Sequence, residues 1–222
     1  MSGVTLVCFA VTQEAKPFRS LARERNDVRV VVTGMGRQNA ERSVRAALEQ
    51  FSPACVLTCG FAGALDTTLH VGDVVFDSET TPGRIAAALA GLKAKPVQFH
   101  CSERVAVTAK QKSALRAATK ADAVEMESKV IHELCAARNV ECATVRAISD
   151  AANEDLPLDF NTVMTAEQKL SAPRLAFAVL KSPRKVPALL RLGSNSALAA
   201  RELARVLRSL IGKGAERISA GH

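Results

Sequence analysis

Acidic residues follow three apolar segments of the chain, at the points where buried strands are expected to end. Glu14 comes after "VTLVCFAVTQ", Glu127 after "ADAVEM" and Asp150 after "ATVRAIS". Because the carboxyl ends of parallel strands meet at one edge of a sheet, we expect these three side chains to surround one cleft. Carboxylates in a cleft suit general acid–base catalysis, and a carboxylate can also accept hydrogen bonds from two adjacent hydroxyl groups. Taken singly, each acid has the alternative interpretation of a charge in the first turn of a helix.

Glycines accompany two other predicted strand ends. The segment "VVVTGMGRQNAE" places Gly34 and Gly36 between a strand and a helix, and "VLTCGFAGAL" places Gly60 and Gly63 in a turn after another strand. Glycine permits positive φ and close approach of a ligand to the backbone, although a purely structural role is the alternative for each turn. The first segment lacks the third glycine of a dinucleotide-binding fingerprint, and the chain has no Walker A motif.

The elements that would position these residues alternate along the chain. Apolar runs predict strands at "VTLVCFAV", "VRVVVTG", "ACVLTCG", "VGDVVF", "ADAVEM" and "ECATVRAIS". Helical spacing predicts helices at "QEAKPFRSLA", "RQNAERSVRAALEQF", "RIAAALAGL", "KQKSALRAAT" and "ESKVIHELCAARN". Strands buried on both faces and separated by helices indicate an α/β fold, with a mixed, mainly parallel sheet flanked by helices. The 222 residues are predicted to form a single domain, 1–222.

The chain changes character after Asp150, where a polar loop precedes a segment with helical spacing. Residues 161–222 are predicted to form a helical C-terminal segment that is rich in Leu, Ala, Arg and Lys and interrupted near Pro173, Pro183 and Pro187. We expect it to form a helical layer that packs on the sheet or on a partner subunit. The alternative is a basic amphipathic surface that contacts a membrane.

Composition narrows the classes of partner. The chain has a formal net charge of +8 but no Trp, no Tyr and no dense run of like charge, so we expect no nucleic-acid partner. Its six cysteines form no CxxC pair and its four histidines show no ligand spacing, so buried thiols and no bound metal are expected. We find no signal-peptide pattern and no stretch long enough to span a bilayer, which favours a cytoplasmic protein.

The order of "GMG", "GFAGAL", "VGDVV", "AVEMES" and "VRAISD" resembles the nucleoside phosphorylase and methylthioadenosine/S-adenosylhomocysteine nucleosidase superfamily. The resemblance runs from about Val4 to Asp150. It implies a nucleoside phosphorylase-like fold, cleavage of the N-glycosidic bond of a purine nucleoside such as an adenine nucleoside, no cofactor and a homodimer.

The resemblance also implies site residues. Glu14 would activate the attacking water, Asp150 would serve N7 of the purine, and Glu127 would accept hydrogen bonds from the 2′ and 3′ hydroxyls. The remaining positions implied to bind substrate are Gly60, Phe61, Ala62, Gly63, Met126 and Ser149. Glu125 receives no role and is interpreted as a surface or interface charge.

The sequence alone does not decide the nucleophile or the substituent at the 5′ carbon. The phosphorolytic branch has an arginine and a Ser or Thr at the positions of Thr58 and Phe61, so these residues favour water. A phosphorylase or a catalytically silent ligand-binding protein are the alternatives, and futalosine is a further candidate substrate. The chain is also similar to the hopanoid-associated phosphorylase group, which implies a lipid nucleoside such as adenosylhopane and contact of the C-terminal helices with the inner membrane face.

Overall fold

A computed structural model of the chain describes residues 3–163, 165 and 183–219. In these residues one sheet contains eight strands. The strands are β1 (Thr5–Phe9), β2 (Val28–Val32), β3 (Cys55–Ala64), β4 (Val74–Asp77), β5 (Lys95–Val97), β6 (Phe99–Cys101), β7 (Ala123–Glu125) and β8 (Glu141–Asp150).

Helices connect or follow these strands. They are α1 (Thr12–Ala22), α2 (Arg37–Phe51), α3 (Gly83–Gly91), α4 (Ala109–Thr119), α5 (Ser128–Ala136), the single turn α6 (Phe160–Val163) and the long α7 (Val186–Ser219). Local signals explain several boundaries. For example, α4 begins at a capping box in which Thr108 accepts a hydrogen bond from the Gln111 amide and the Gln111 side chain bonds back to Thr108.

The sheet is mixed and mainly parallel, which confirms the predicted fold class. Strands β2, β1, β3 and β8 lie side by side in parallel, and β4 then pairs antiparallel with β8 and parallel with β5. Strand β7 pairs antiparallel with the end of β3 and parallel with β6. The carboxyl ends of β1, β3 and β8 therefore meet at one edge, as predicted for the strands before Glu14 and Asp150. The strand before Glu127, β7, was expected to be parallel with them, but it runs antiparallel to β3.

Helices cover both faces of the sheet, and the side chains of β1 show how the faces are divided. Leu6 and Cys8 pack with apolar residues of α2 and α5, whereas Val7 and Phe9 pack with those of α1, α3 and α7. This alternation has the period of two that a strand requires. Both faces are buried, which explains why the strands appear in the sequence as continuous apolar runs.

Two features of the sheet differ from the sequence predictions. Strands β5 and β6 were not predicted, because each has only three residues and Pro96 interrupts the strand pattern. Gly60 and Gly63 do not form a turn after β3 but lie inside it, and the pairing with β8 shifts register between Ala62 and Gly63. The glycine-rich segment is thus an irregular strand rather than a connection.

The C-terminal segment is helical where the structure describes it. Helix α7 packs on α1 and β8, and Pro187 occupies its first turn, which proline tolerates. The predicted interruption at Pro173 lies outside the described residues. The structure does not test the single-domain boundaries, which stay a prediction. Within the described part of the chain, no helix has the length and apolar character required to cross a membrane.

Candidate active site

A cavity of about 750 Å³ lies beside the carboxyl ends of β1, β3 and β8. The structure brings most of the predicted site residues to this cavity. Its walls include Glu14, Phe61, Ala62, Gly63, Met126, Glu127, Ser149 and Asp150. Gly60 does not line the cavity but lies behind it. The three acids are supplied by α1, the segment between β7 and α5, and β8, so only the folded chain assembles them.

Glu14 is buried in the first turn of α1 and is held by backbone amides. Its Oε1 accepts a hydrogen bond from the Phe61 amide at 2.8 Å, and its Oε2 accepts one from the Val11 amide at 3.0 Å. Burial raises the pKa of Glu14, and the Arg146 guanidinium and these amides oppose part of that rise. The carboxylate is therefore a stronger base than an ordinary glutamate and has a fixed orientation.

Arg146 is the central cation of the site, and the sequence analysis did not single it out. This side chain is 1 % exposed and reaches from β8 to the neighbouring acids. Its Nη2 donates to Glu125 at 2.6 Å and to the Thr58 hydroxyl at 3.2 Å, and lies 3.5 Å from Glu127 Oε2. Its Nη1 donates to the Cys59 carbonyl. An arginine inside the otherwise apolar run "ATVRAIS" was the available signal, because a buried charge requires a partner.

The interpretation of Glu125 as a surface or interface charge is wrong. Its side chain is fully buried against Arg146 and accepts hydrogen bonds from the Glu127 and Ser128 amides and the Ser128 hydroxyl. Burial raises the pKa of Glu125, but Arg146 and these hydrogen bonds outweigh it, so the pKa lies below its usual value. Glu125 thus stays ionised and satisfies the first amides of α5 while it neutralises the arginine.

Glu127 is the second buried acid near Arg146, but here the effect of burial on the pKa outweighs that of the arginine. Its Oε1 accepts a hydrogen bond from the Gly36 amide at 2.9 Å, which the positive φ of Gly36 in the turn before α2 makes accessible. Burial raises the pKa of Glu127 to about 7, with Arg146 lowering it and Glu125 raising it. Each carboxylate oxygen has two acceptor sites, so Glu127 retains capacity for two hydroxyl groups in the cavity.

Asp150 ends β8, and both of its oxygens have partners. Ser149 donates to its Oδ1 at 2.7 Å, and the ammonium group of Lys112 donates to its Oδ2 at 2.6 Å. A Cβ at position 63 would lie 3.0 Å from Asp150 Oδ2, so glycine leaves this carboxylate the space it occupies. Lys112 is the second functional candidate that the sequence analysis missed. It is the buried residue of α4 and occupies a position where the helical pattern requires an apolar one.

Gly60 allows the side chains of Arg146 and Glu14 to approach each other. A Cβ built on Gly60 would lie 2.7 Å from Arg146 Nη1 and 2.8 Å from Glu14 Oε1. At these distances an added Cβ would displace Arg146 or Glu14 from its hydrogen bonds, and the φ of +149° also favours glycine. This position therefore has a steric role behind the cavity rather than a place in its wall.

Much of the remaining cavity wall is apolar, and α7 supplies a large part of it. The side chains on this wall include Pro17, Phe160, Leu189, Leu192, Ala197 and Ala200. Lys16, Arg104 and Arg201 also line the cavity and are exposed to solvent, which places them at its rim. The arrangement can hold a ligand whose polar part meets three acids and whose other end is apolar.

Comparison with known proteins gives results that agree with this geometry. The sequence pattern of the phosphorylase superfamily matches residues 10–81 and 76–181. A 5′-methylthioadenosine/S-adenosylhomocysteine nucleosidase of Staphylococcus aureus is 29 % identical over 172 residues, which cover 62 % of this chain and 75 % of the relative.

Solved structures share the fold at low identity. The futalosine hydrolase of Helicobacter pylori superposes with a TM-score of 0.73 at 17 % identity, covering 96 % of this chain and 99 % of the other. A 5′-methylthioadenosine/S-adenosylhomocysteine nucleosidase of Helicobacter pylori with butyl-thio-DADMe-Immucillin-A gives 0.72 at 16 % identity, covering 95 % and 98 %. At such identities the likeness concerns the fold alone.

Proposed function

The chain belongs to the phosphorylase superfamily, and we propose that it is a purine nucleosidase that hydrolyses the N-glycosidic bond of an adenine nucleoside. One observation carries the proposal. Glu14, Glu127 and Asp150 come from three separate elements and line a single cavity. The relative from Staphylococcus aureus is a 5′-methylthioadenosine/S-adenosylhomocysteine nucleosidase, which supports the same class of reaction here.

The proposed reaction divides the acids by task. The bond from C1′ to the base breaks with its electron pair going to the base, and Asp150 neutralises that charge by passing a proton from solvent to N7. In the proposed complex Asp150 then stabilises the protonated base, while Glu127 accepts hydrogen bonds from the 2′ and 3′ hydroxyls. Both acids line the cavity, as these roles require. The anionic side chains stabilise the cationic sugar that develops at C1′. Water then adds at C1′ and loses a proton to Glu14, whose raised pKa suits a general base.

Water rather than phosphate is the proposed nucleophile. Thr58, at the position of the phosphorolytic arginine, is buried and accepts a hydrogen bond from Arg146. Arg146 directs Nη1 and Nη2 to Cys59, Thr58 and Glu125 and does not line the cavity. Arg37 is exposed and pairs with Glu133 at 3.5 Å. Phosphate needs a cluster of donors. The cations that line the cavity in the described structure are exposed at its rim.

The 5′ substituent is proposed to be apolar, with a lipid nucleoside such as adenosylhopane as the candidate from hopanoid metabolism. A cavity of about 750 Å³ is large among ligand sites, which span about 300 to 1,000 Å³. Leu189, Leu192 and Ala197 of α7 line the same cavity as the acids and add apolar surface to it. The resemblance to the hopanoid-associated phosphorylase group supports the same substrate class.

Peripheral membrane contact through α7 is part of this proposal. At its start Leu190 is 71 % exposed, and Arg184, Lys185 and Arg191 are exposed beside it. Exposed leucine next to basic side chains favours an anionic lipid surface. Flotation with phosphatidylglycerol vesicles should recover the wild type and lose Leu190→Asp, whereas absence of the wild type from the vesicle fraction would contradict membrane contact.

We also propose a homodimer on the basis of the resemblance, to be checked by light scattering after gel filtration.

The test of the proposed activity is adenine release in phosphate-free buffer, followed by chromatography. Adenosine, methylthioadenosine and a 5′-hexyl adenosine form the substrate series. Release without phosphate, fastest for the hexyl compound, is the expected result. Release that requires phosphate would instead identify a phosphorylase, and no release from any of the three would indicate a silent ligand-binding protein.

A further inference from the structure

Lys112 is a charged side chain buried completely beside the proposed active site. It lies on α4 with a side-chain exposure of 0 %. Its Nζ donates to Asp150 Oδ2 at 2.6 Å, to the Ala151 carbonyl at 2.7 Å and to the Glu154 carbonyl at 3.1 Å. An ammonium group has three protons, so every one of them is used. This is a complete site for one ammonium ion, built from a carboxylate and two carbonyl groups.

Packing does not explain a lysine at this position. Burying an ion pair is costly, and well-packed apolar residues of similar volume often stabilise a protein as well or better. The remaining charged groups nearby are engaged elsewhere. Glu154 lies 3.5 Å from Arg191 through its side chain, and Asp155 accepts a hydrogen bond from the Ala109 amide. The ammonium group therefore acts on Asp150 and on the backbone that follows β8.

We propose that Lys112 is a positioning residue for departure of the base, acting through Asp150. With Lys112 on one oxygen and Ser149 on the other, the Asp150 carboxylate cannot rotate away from the cavity. Each oxygen keeps an acceptor site for the protonated base. Lys112 also fixes the carbonyls of residues 151 and 154, which precede the cavity residues Leu156 and Phe160. It thus aligns the acid and the adjoining wall together, which matters because small misplacements cost large factors in rate.

This inference rests on the proposed function, and two classes of substrate separate it from a merely structural role. Adenosine needs a stabilised proton on its leaving base, whereas 4-nitrophenyl riboside releases a weakly basic group that needs none. Lys112→Met is expected to lower kcat for adenosine by about 100-fold, at the low end for loss of acid–base assistance, and to change kcat for the nitrophenyl substrate by less than about threefold. Lys112→Arg, which keeps the charge, should recover part of the adenosine rate.

The controls use the same helix. Lys110→Met removes an exposed lysine of α4 and should leave both rates unchanged. Circular dichroism on heating measures the folded fraction of each variant. If Lys112→Met does not fold, Lys112→Arg carries the test, and its adenosine rate should fall more than its nitrophenyl rate. Equal losses on both substrates in a folded variant, or no loss on adenosine, would overturn the proposal.

Failure of the proposed function can be recognised separately. If the wild type releases no base from adenosine, calorimetric titration with adenine tests Lys112 directly. The proposal predicts at least about tenfold weaker adenine binding in Lys112→Met than in Lys110→Met, because Asp150 loses its orientation. Equal affinity in the two variants, or no adenine binding by the wild type, would overturn it.

Discussion

The side of the cavity that carries the acids and the side formed by α7 differ in how their side chains are held. The charged side is buried, and Glu14, Glu125 and Arg146 are held by backbone amides, carbonyls or each other. The α7 side presents mainly apolar side chains, including Leu189, Leu192, Ala197 and Ala200, together with Ser196 and the exposed Arg201. A site that performs chemistry needs fixed donors and acceptors, whereas a site that accommodates an apolar group needs only shape. We therefore expect changes on the first side to remove activity and changes on the second to alter substrate preference.

The largest effect is expected from Glu14→Gln, which keeps the shape of the side chain and removes its basicity. Adenine release should fall by about 1,000-fold, within the range for loss of a general base. Steady-state kinetics on adenosine measure the effect. Exposed Glu103→Gln is the matched control. A folded Glu14→Gln variant with more than about a tenth of the wild-type rate would remove Glu14 from the mechanism.

A large loss of stability is expected from Arg146→Met. Removing the cation leaves Glu125, Glu127 and Glu14 buried without their partner, and breaking a buried pair in this way costs about 3–5 kcal/mol. Urea denaturation measures the free energy of unfolding. The same substitution at exposed Arg201 should cost less than about 0.5 kcal/mol. Equal stabilities of the two variants would contradict the central role of Arg146.

A selective effect is expected from Leu192→Asn on the apolar side. The ratio of kcat/KM for 5′-hexyl adenosine to that for adenosine should fall by about tenfold, because the substituent loses apolar contact worth about 1–3 kcal/mol. Leu190→Asn is the control, since Leu190 lies on the same helix but is exposed and does not line the cavity. If both substrates lose rate equally, α7 does not contact the 5′ substituent.

A change confined to the pH dependence of stability is expected through Glu127. Its pKa rises from 4.5 to about 7 on folding, chiefly because of burial, so the folded protein binds this proton more readily than the unfolded chain. Its contribution to stability is therefore greatest below the unfolded pKa and declines as the pH rises to about 7. In Glu127→Gln the fall in unfolding free energy between about pH 5 and about pH 8 should be smaller by roughly 2 kcal/mol. Urea titrations at both pH values would show it, and an unchanged fall would contradict the raised pKa.

The sequence predicts the sheet and the convergence of the acids because both depend on local patterns. Continuous apolar runs reveal strands that are buried on both faces, and Glu14, Glu127 and Asp150 follow such runs. It does not predict the partners of Arg146 or the site of Lys112, since these contacts join residues about 20 to 90 positions apart. Glu125 was misjudged for the same reason. Only the fold places a cation beside it.

The most direct test of whether water or phosphate is the nucleophile is the identity of the sugar product. Adenosine is incubated with the wild-type protein in phosphate buffer, and ³¹P NMR follows the sugar phosphates while chromatography follows adenine. The proposed mechanism predicts that adenine accumulates with no sugar 1-phosphate signal, because Glu14 activates water and the cations that line the cavity lie at its exposed rim. A sugar 1-phosphate that grows in step with adenine would contradict this account and would identify phosphate as the nucleophile.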